Sequence, residues 1–388
     1  MFQTIIIRML PPNLNDPIWV ATLPALRSMV HKLEKEPVFA VDTESNSLFV
    51  YREQVCLIQI STLLTDYLVD SLALADLSAL GPLFANPKIE KIFHAGEYDL
   101  ICLKRDYGFT FSNLFDTMIA GRILGRDVIG LSSMLEVEFG ISLDKRWQRA
   151  NWGIRPMPAA QLAYARMDSH FLISLRECLQ KELVEANRLE LAKEDFSRLE
   201  RTPIPQGNGD KEIFWKLSGK QDLTSRQLAV LHRLCEYREE QAKKTNMPPF
   251  KVLSNEVLVT LAQVSPKSAE ELEVITVLPE RLRKRHVEGI LECVALGQRS
   301  DPPRKPLHTR KDESLVKRLD ALKTWRKKTA VEWKVESDVV LPREVVEQIA
   351  FVAPQSVGEL TSIMCHFPWR LQNFGIEILQ ILNPEETE

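Results

Sequence analysis

Five side chains have the types and spacing to hold hard cations and to activate water. Val41-Asp42-Thr43-Glu44 closes a β-rich apolar run, and residues i and i+2 of a strand point the same way, so Asp42 and Glu44 can converge on one cation. In Phe93-His94-Ala95-Gly96-Glu97-Tyr98-Asp99 a short strand feeds a helix and puts Asp99 about one turn into it, where an acid also suits the helix dipole. Tyr164 and Asp168, four residues apart, share one face of a third element, a helix. Each of these elements is commonplace alone: a D-x-E ends many strands in solvent, and a tyrosine on an amphipathic helix usually packs in a core. Together, in this order, they describe an all-oxygen site, which favours hard cations over metals that take His or Cys. A cation held by such a site acidifies a bound water.

Other residues have open readings. Asp116 supports the site from behind or simply caps the helix that follows. Lys145, Arg149, Trp152 and Arg155 precede the Tyr164 helix in a loop suited to touch a phosphate and stack on a flat ring, or simply a solvated basic loop. Thr43, between the first two acids, is a further candidate for substrate contact. His94, a lone histidine at a strand end, is assigned no chemical role.

The elements that must position these groups alternate. Strand-like runs at Ile18–Thr22, Pro37–Val41, Val55–Ser61, Tyr67–Asp70 and Lys91–His94 are interleaved with helices at Leu23–Lys35 and about Leu72–Phe84, the pattern of an α/β layer fold. From Asp116 to about Leu199 the pattern is almost wholly helical. Arg201–Asp210 is polar and turn-rich, and Ser300–Pro306 is rich in Pro and charge, so both read as linkers. The expected organisation is a first domain over 1–205, a linker at 206–215, a helical module at 216–299, a second linker at 300–310 and a last module at 311–388. The two modules share a layout: Ser265-Pro266-Lys267-Ser268-Ala269-Glu270-Glu271-Leu272 matches Pro354–Leu360 after a long first helix in each case, which implies duplication of an all-α unit of about 80 residues.

Composition sets outer bounds. The chain has 388 residues, 45% hydrophobic and 27% charged, enough for two or three packed cores and unlike a disordered or fibrous sequence. Six cysteines stand singly, with no C-x-x-C pair, which fits free thiols in a reducing cytoplasm. Ile5-Ile6-Ile7 is broken by Arg8, too short for a signal peptide, and no segment reaches the roughly 20 apolar residues of a membrane span. The net charge of -3 hides an uneven distribution: residues 1–210 carry 22 Lys+Arg against 27 Asp+Glu, and residues 211–300 carry 15 against 12. An acidic catalytic part beside a more basic appendage suits an enzyme that holds cations in one place and phosphate in another.

The ordered set of Asp42, Glu44, Asp99, Tyr164 and Asp168 resembles the tyrosine-bearing branch of the DEDD exonuclease superfamily. The run from Gly140 through Lys145, Trp152 and Arg155-Pro156 into Gln161–Asp168, with Asp116-Thr117-Met118-Ile119-Ala120 before it, is similar to the ribonuclease D family over essentially the first 200 residues. The two C-terminal modules resemble HRDC domains, which RecQ-type helicases share. The resemblance implies a ribonuclease H-like α/β domain, a mixed sheet flanked by helices, followed by two all-α HRDC-like domains. It further implies hydrolysis of RNA from a free 3′ end to 5′-monophosphates, with tRNA precursors and other stable RNAs as substrates and two Mg²⁺ ions, or Mn²⁺, as cofactors. Carried over residue by residue, Asp42 bridges both ions, Glu44 and Asp168 complete the one on the nucleophile side, Asp99 holds the other, and Tyr164 orients the attacking water. Two rival readings are a Werner-type DNA exonuclease, which carries the same five residues, and a non-catalytic RNA-binding protein, which predicts loss of an acid; all four acids are present.

Overall fold

The structure is a computed structural model, and it describes residues 15–205, 209–219, 222–301, 303 and 312–383. The Ile5–Ile7 stretch, residues 206–208 of the first expected linker and most of the second lie outside them. The chain forms two compact units: Met1–Glu44 with Val55–Ile204 and Thr309–Glu388, and Ser45–Gln54 with Pro205–His308.

The first unit opens with β1 (Ile18–Val20) and α1 (Leu23–Leu33), then β2 (Val38–Ser45), β3 (Val55–Ser61) and β4 (Asp66–Val69). A short helix α2 (Gly81–Ala85), β5 (Glu90–Phe93), α3 (Glu97–Tyr107), β6 (Leu114–Asp116) and α4 (Thr117–Leu124) follow. Helices α5 (Leu131–Phe139), α6 (Ala159–His170), α7 (Leu172–Glu185) and α8 (Leu189–Glu200) complete this part. The six strands form one sheet in the order β1-β4-β3-β2-β5-β6. It is mixed: β1 with β4, β2 with β5 and β5 with β6 run parallel, and β3 with β4 antiparallel. Phe39, Ala40 and Val41 of the central β2 are fully buried. Alternation sends Phe39 and Val41 into one apolar core with Leu26, Phe84 and Phe93, and Ala40 into another with Phe115, Leu175 and Leu179. A strand so fixed on both faces delivers the acids at its end to a defined place.

Two local expectations need correction. Residues 72–77 are not helical, because the Asp70 carboxylate accepts the N–H groups of Leu72 and Ala73 at 3.1 and 3.3 Å and holds a turn; only a single 3₁₀ turn at Ser78–Leu80 and α2 remain. Conversely, β6 was unexpected: it has three residues, too few to show alternation, and is held by its parallel register to β5.

The last module is part of this first unit. Its helices are α15 (Glu313–Trp333), α16 (Ser337–Val340), α17 (Arg343–Val352), α18 (Val357–Ile363) and α19 (Pro368–Leu382). Val339 packs into the same apolar core as Ala40, and Arg370, fully buried, pairs with Glu194 at 2.8 Å and Asp195 at 2.9 Å on α8. The expected separation at the second linker therefore does not make this module an independent body.

The second unit contains α9 (Gly209–Ser218), α10 (Ser225–Thr245), α11 (Pro249–Val252), α12 (Asn255–Val264), α13 (Ala269–Glu273) and α14 (Glu280–Arg299). Helix α9 occupies most of what reads as the linker 206–215, and its Phe214, 2% exposed, packs into the module's core with Leu231, Leu258 and Ile290. Two polar turns had disguised one buried aromatic residue. Residues 45–54 also belong here: Lys251 sits 4.2 Å from the Phe49 ring centre, and the Tyr51 hydroxyl donates to Glu239. No described helix is long and apolar enough to cross a membrane.

Candidate active site

The carboxylates converge as alternation on β2 and the turn before α3 require. Oxygens of Asp42, Glu44 and Asp168 all lie within 4.8 Å of one another. Asp99, 8% exposed, is brought beside them by α3, and its carboxylate accepts the Thr43 hydroxyl. All four acids, Thr43 and Tyr164 line one open cavity of about 520 Å³.

The turn that aims Asp99 has little freedom. Ala95 has φ +57°, the left-handed region that side chains avoid, and a Cβ on Gly96 would stand 2.6 Å from that of Phe93. Asp116, fully buried, holds this turn by accepting the Gly96 N–H at 2.8 Å, and it caps α4 by accepting the Ile119 N–H at 2.9 Å. Its two readings are thus one side chain's two oxygens. Asp66 fixes α6 from behind: it accepts His170 Nδ1 at 2.9 Å and pairs with Arg166 at 3.1 Å, residues that flank Asp168 on that helix.

Burial and mutual repulsion make these acids hard to ionise without a cation. Burial, and then the charges of Asp99, Asp168 and Glu44, push Asp42 well above the usual carboxylate range. Burial with Asp168 and Asp99 nearby pushes Glu44 up to about 9. Burial likewise raises Asp99 and Asp168 to about 7, against the hydrogen bonds of Thr43 and Tyr164 that oppose it. Among the described residues no lysine or arginine pairs with any of the four. Oxygen donors and concentrated negative charge, with no cation paired to the acids among the described residues, fit divalent cations. Tyr164 bonds Asp168, and burial next to Asp168, Glu44 and Asp42 pushes its phenol far up, so it is a proton donor in the ion-free site.

The remaining expected contacts divide. Lys145 is exposed and is the only positively charged residue lining the cavity among the described ones. Trp152 is not available to a base: it is 1% exposed, packed with Cys56, Leu57 and Met157, its ring centre 6.1 Å from that of Tyr164. Arg155 is also committed elsewhere, donating to both oxygens of Asp70 at 2.9 and 2.7 Å and to the Cys56 carbonyl at 2.7 Å. Both readings are corrected to packing roles around the Tyr164 helix. His94 lines the cavity, but burial lowers its pKa to about 4 and its Nδ1 is 2.9 Å from the Thr117 hydroxyl, a neutral and hydrogen-bonded ring. Sequence reasoning missed Ser132, Ser133 and Gln148, which line the same cavity. Gly130, the break before α5, was the only local signal of that edge.

Residues 17–184 match a family described as 3′–5′ exonuclease, and residues 227–294 and 316–382 each match the HRDC domain. Ribonuclease D of Gluconacetobacter diazotrophicus is 30% identical over 73% of this chain and 72% of its own length. The chain belongs to the ribonuclease D family. The solved Escherichia coli RNase D, described as an exoribonuclease involved in structured RNA processing, is 25% identical with a TM-score of 0.69, covering 96% of this chain and all of that one. The exosome complex exonuclease RRP6 of Saccharomyces cerevisiae is 34% identical over 64% of this chain, and the chain spans 36% of its length. The four acids lie within the residues that match the 3′–5′ exonuclease family, a family that implies divalent metal ions, and this cavity's donors suit them.

Proposed function

We propose that the chain is a 3′→5′ exoribonuclease that releases 5′-monophosphates, with Asp42, Glu44, Asp99, Asp168 and Tyr164 as its catalytic residues. The observation that carries this is the convergence of three carboxylates within 4.8 Å beside a fourth, in an open cavity, with no cation paired to them among the described residues. Asp42, Glu44 and Asp168 would hold one divalent cation, and Asp99, with Asp42, a second. When bound, these cations supply an acidified water and positive charge for the phosphate oxygens. Thr43 donates to the Asp99 carboxylate and so restrains it. Tyr164, held by Asp168, positions the attacking water, and exposed Lys145 meets a phosphate at the cavity rim. Magnesium is the ion of this reading, tRNA precursors are its substrates, and six free cysteines support a cytoplasmic setting.

RNA is favoured over DNA because the named relatives with an assigned substrate act on RNA and the chain carries paired HRDC domains. Matched RNA and DNA oligonucleotides of one sequence test this: RNA is expected to be shortened at least tenfold faster, and equal or faster loss of DNA would replace the reading with a DNA exonuclease.

A further inference from the structure

Helix α4 is tied at its start to the turn that aims Asp99. Asp116 caps its first turn and accepts the Gly96 N–H with its other oxygen, and the Thr117 hydroxyl donates to the Phe93 carbonyl at 3.2 Å, just ahead of that turn. The helix has 8 residues. At 1.5 Å each they span about 12 Å, so α4 moves as a short rod and a shift at its far end reaches the turn. Little else holds the turn on that side. A cavity of about 130 Å³ lies beside it, lined by Ala95 and Glu97 of the turn, by Met118 and Arg122 of α4 and by Leu199 of α8. A void supplies no partner atoms, so the placement of the turn falls to the helix.

The far end of α4 meets the last module. Helices α4 and α15 both finish on left-handed residues, Gly125 with φ +75° and Lys334 with φ +55°. Each end has unsatisfied carbonyls and the negative end of a helix dipole, so the two repel unless a cation joins them. Arg188, just before α8, is that cation. It donates to the Ile123 carbonyl of α4 at 2.7 Å and to the Trp333 carbonyl of α15 at 3.0 Å, with its guanidinium 5.3 Å from the Trp333 ring centre. Arg122 of α4 adds a pair with Glu336 and a bond to Asp338 at 2.7 Å. The approach is close: a Cβ on Gly125 would collide with the Lys334 carbonyl oxygen, which is backbone and has little room to give.

We infer that the second HRDC domain positions Asp99 through α4, with Arg188 as the positioning residue and Gly125 as the point of contact. The inference rests on the proposed action of the four acids and gives this domain a part in forming the cation site itself.

The test uses the full chain, at a temperature below the melting transition of every variant. Mg²⁺ binding is read by calorimetry without RNA, and kcat and KM are read on unmodified RNA. Gly125→Ala combines left-handed strain with the collision, whereas Gly108→Ala, at φ +69° with nothing within 4 Å, has the strain alone. Gly125→Ala and Arg188→Met should each lower kcat about tenfold and weaken Mg²⁺ binding, with KM for RNA within about twofold of the wild type. Arg188→Lys, which keeps the charge and a donor between the two helix ends, should recover most of both losses. Gly108→Ala should melt lower with wild-type kcat and Mg²⁺ affinity. Should Gly125→Ala fail to fold, Arg188→Met decides, since it brings no backbone strain. Lower melting with unchanged kcat and Mg²⁺ affinity in Arg188→Met, or equal losses in Gly108→Ala and Gly125→Ala, would overturn the inference. A wild-type chain that releases no 5′-monophosphates would instead sink the exonuclease reading, and the Mg²⁺ measurements would still decide the positioning.

Discussion

Asp42, Glu44, Asp99 and Asp168 are costly neighbours without a cation, and that cost is measurable. Their folded-state pKa values lie above those of free carboxyls, to about 9 for Glu44 and about 7 for Asp99 and Asp168, so the ion-free native state binds more protons than the unfolded chain. Stability contributed by these groups therefore falls as pH rises from about 4 toward 9. The melting temperature in EDTA should drop over that interval, Mg²⁺ should restore it most at the alkaline end, and calorimetry in buffers of different ionisation enthalpy should show protons released on Mg²⁺ binding. A metal-induced stabilisation independent of pH would contradict the shifts. Tyr164 separates from the acids: Tyr164→Phe should slow single-turnover cleavage about 10²–10⁴-fold with metal affinity retained, and Asp168→Asn should lose both. That these five residues meet in one cavity was legible because their types and spacing place them on one strand end, one helix start and one helix face. Trp152 and Arg155 were not, since nothing local reveals that Asp70, 85 residues earlier, claims the guanidinium.

At the scale of elements, the β5–α3 turn and the start of α4 hang on Asp116. Its removal leaves two N–H groups unpaired, that of Gly96 buried and that of Ile119 partly buried. Asp116→Ala should cost roughly 2–4 kcal/mol, a lost cap plus a desolvated donor, and should also lower activity by shifting Asp99. Denaturant unfolding alongside cleavage checks this; a stable variant with full activity would make the turn self-supporting. The strands β2, β3, β4 and β5 could be read from apolar runs, because a strand buried on both faces is continuous in hydrophobicity. The three-residue β6 and the turn at 72–77 could not: pairing with β5 decides the first, and one carboxylate on two N–H groups decides the second.

For the whole molecule, the duplication was visible but the use of each copy was not. A sequence shows Arg370 as one arginine among many; only packing puts it at 0% exposure between Glu194 and Asp195. Burial raises Glu194 even against the pull of Arg370, so removing the arginine strands two buried acids. Arg370→Met should cost about 3–5 kcal/mol and lower the melting temperature of the nuclease part as well as the module. Melting followed by a probe in the nuclease part checks it; an unchanged transition would mean that the last module is a passenger. A chain built around this site removes nucleotides from a 3′ end only when cations are bound. The most direct test follows 5′-labelled RNA on a sequencing gel with Mg²⁺ and with excess EDTA, for the wild-type chain and Asp42→Asn. The predicted result is a ladder that shortens one nucleotide at a time with 5′-monophosphates released, abolished by EDTA and by Asp42→Asn. Internal fragments, undiminished cleavage in EDTA, or near-normal turnover by Asp42→Asn would contradict it.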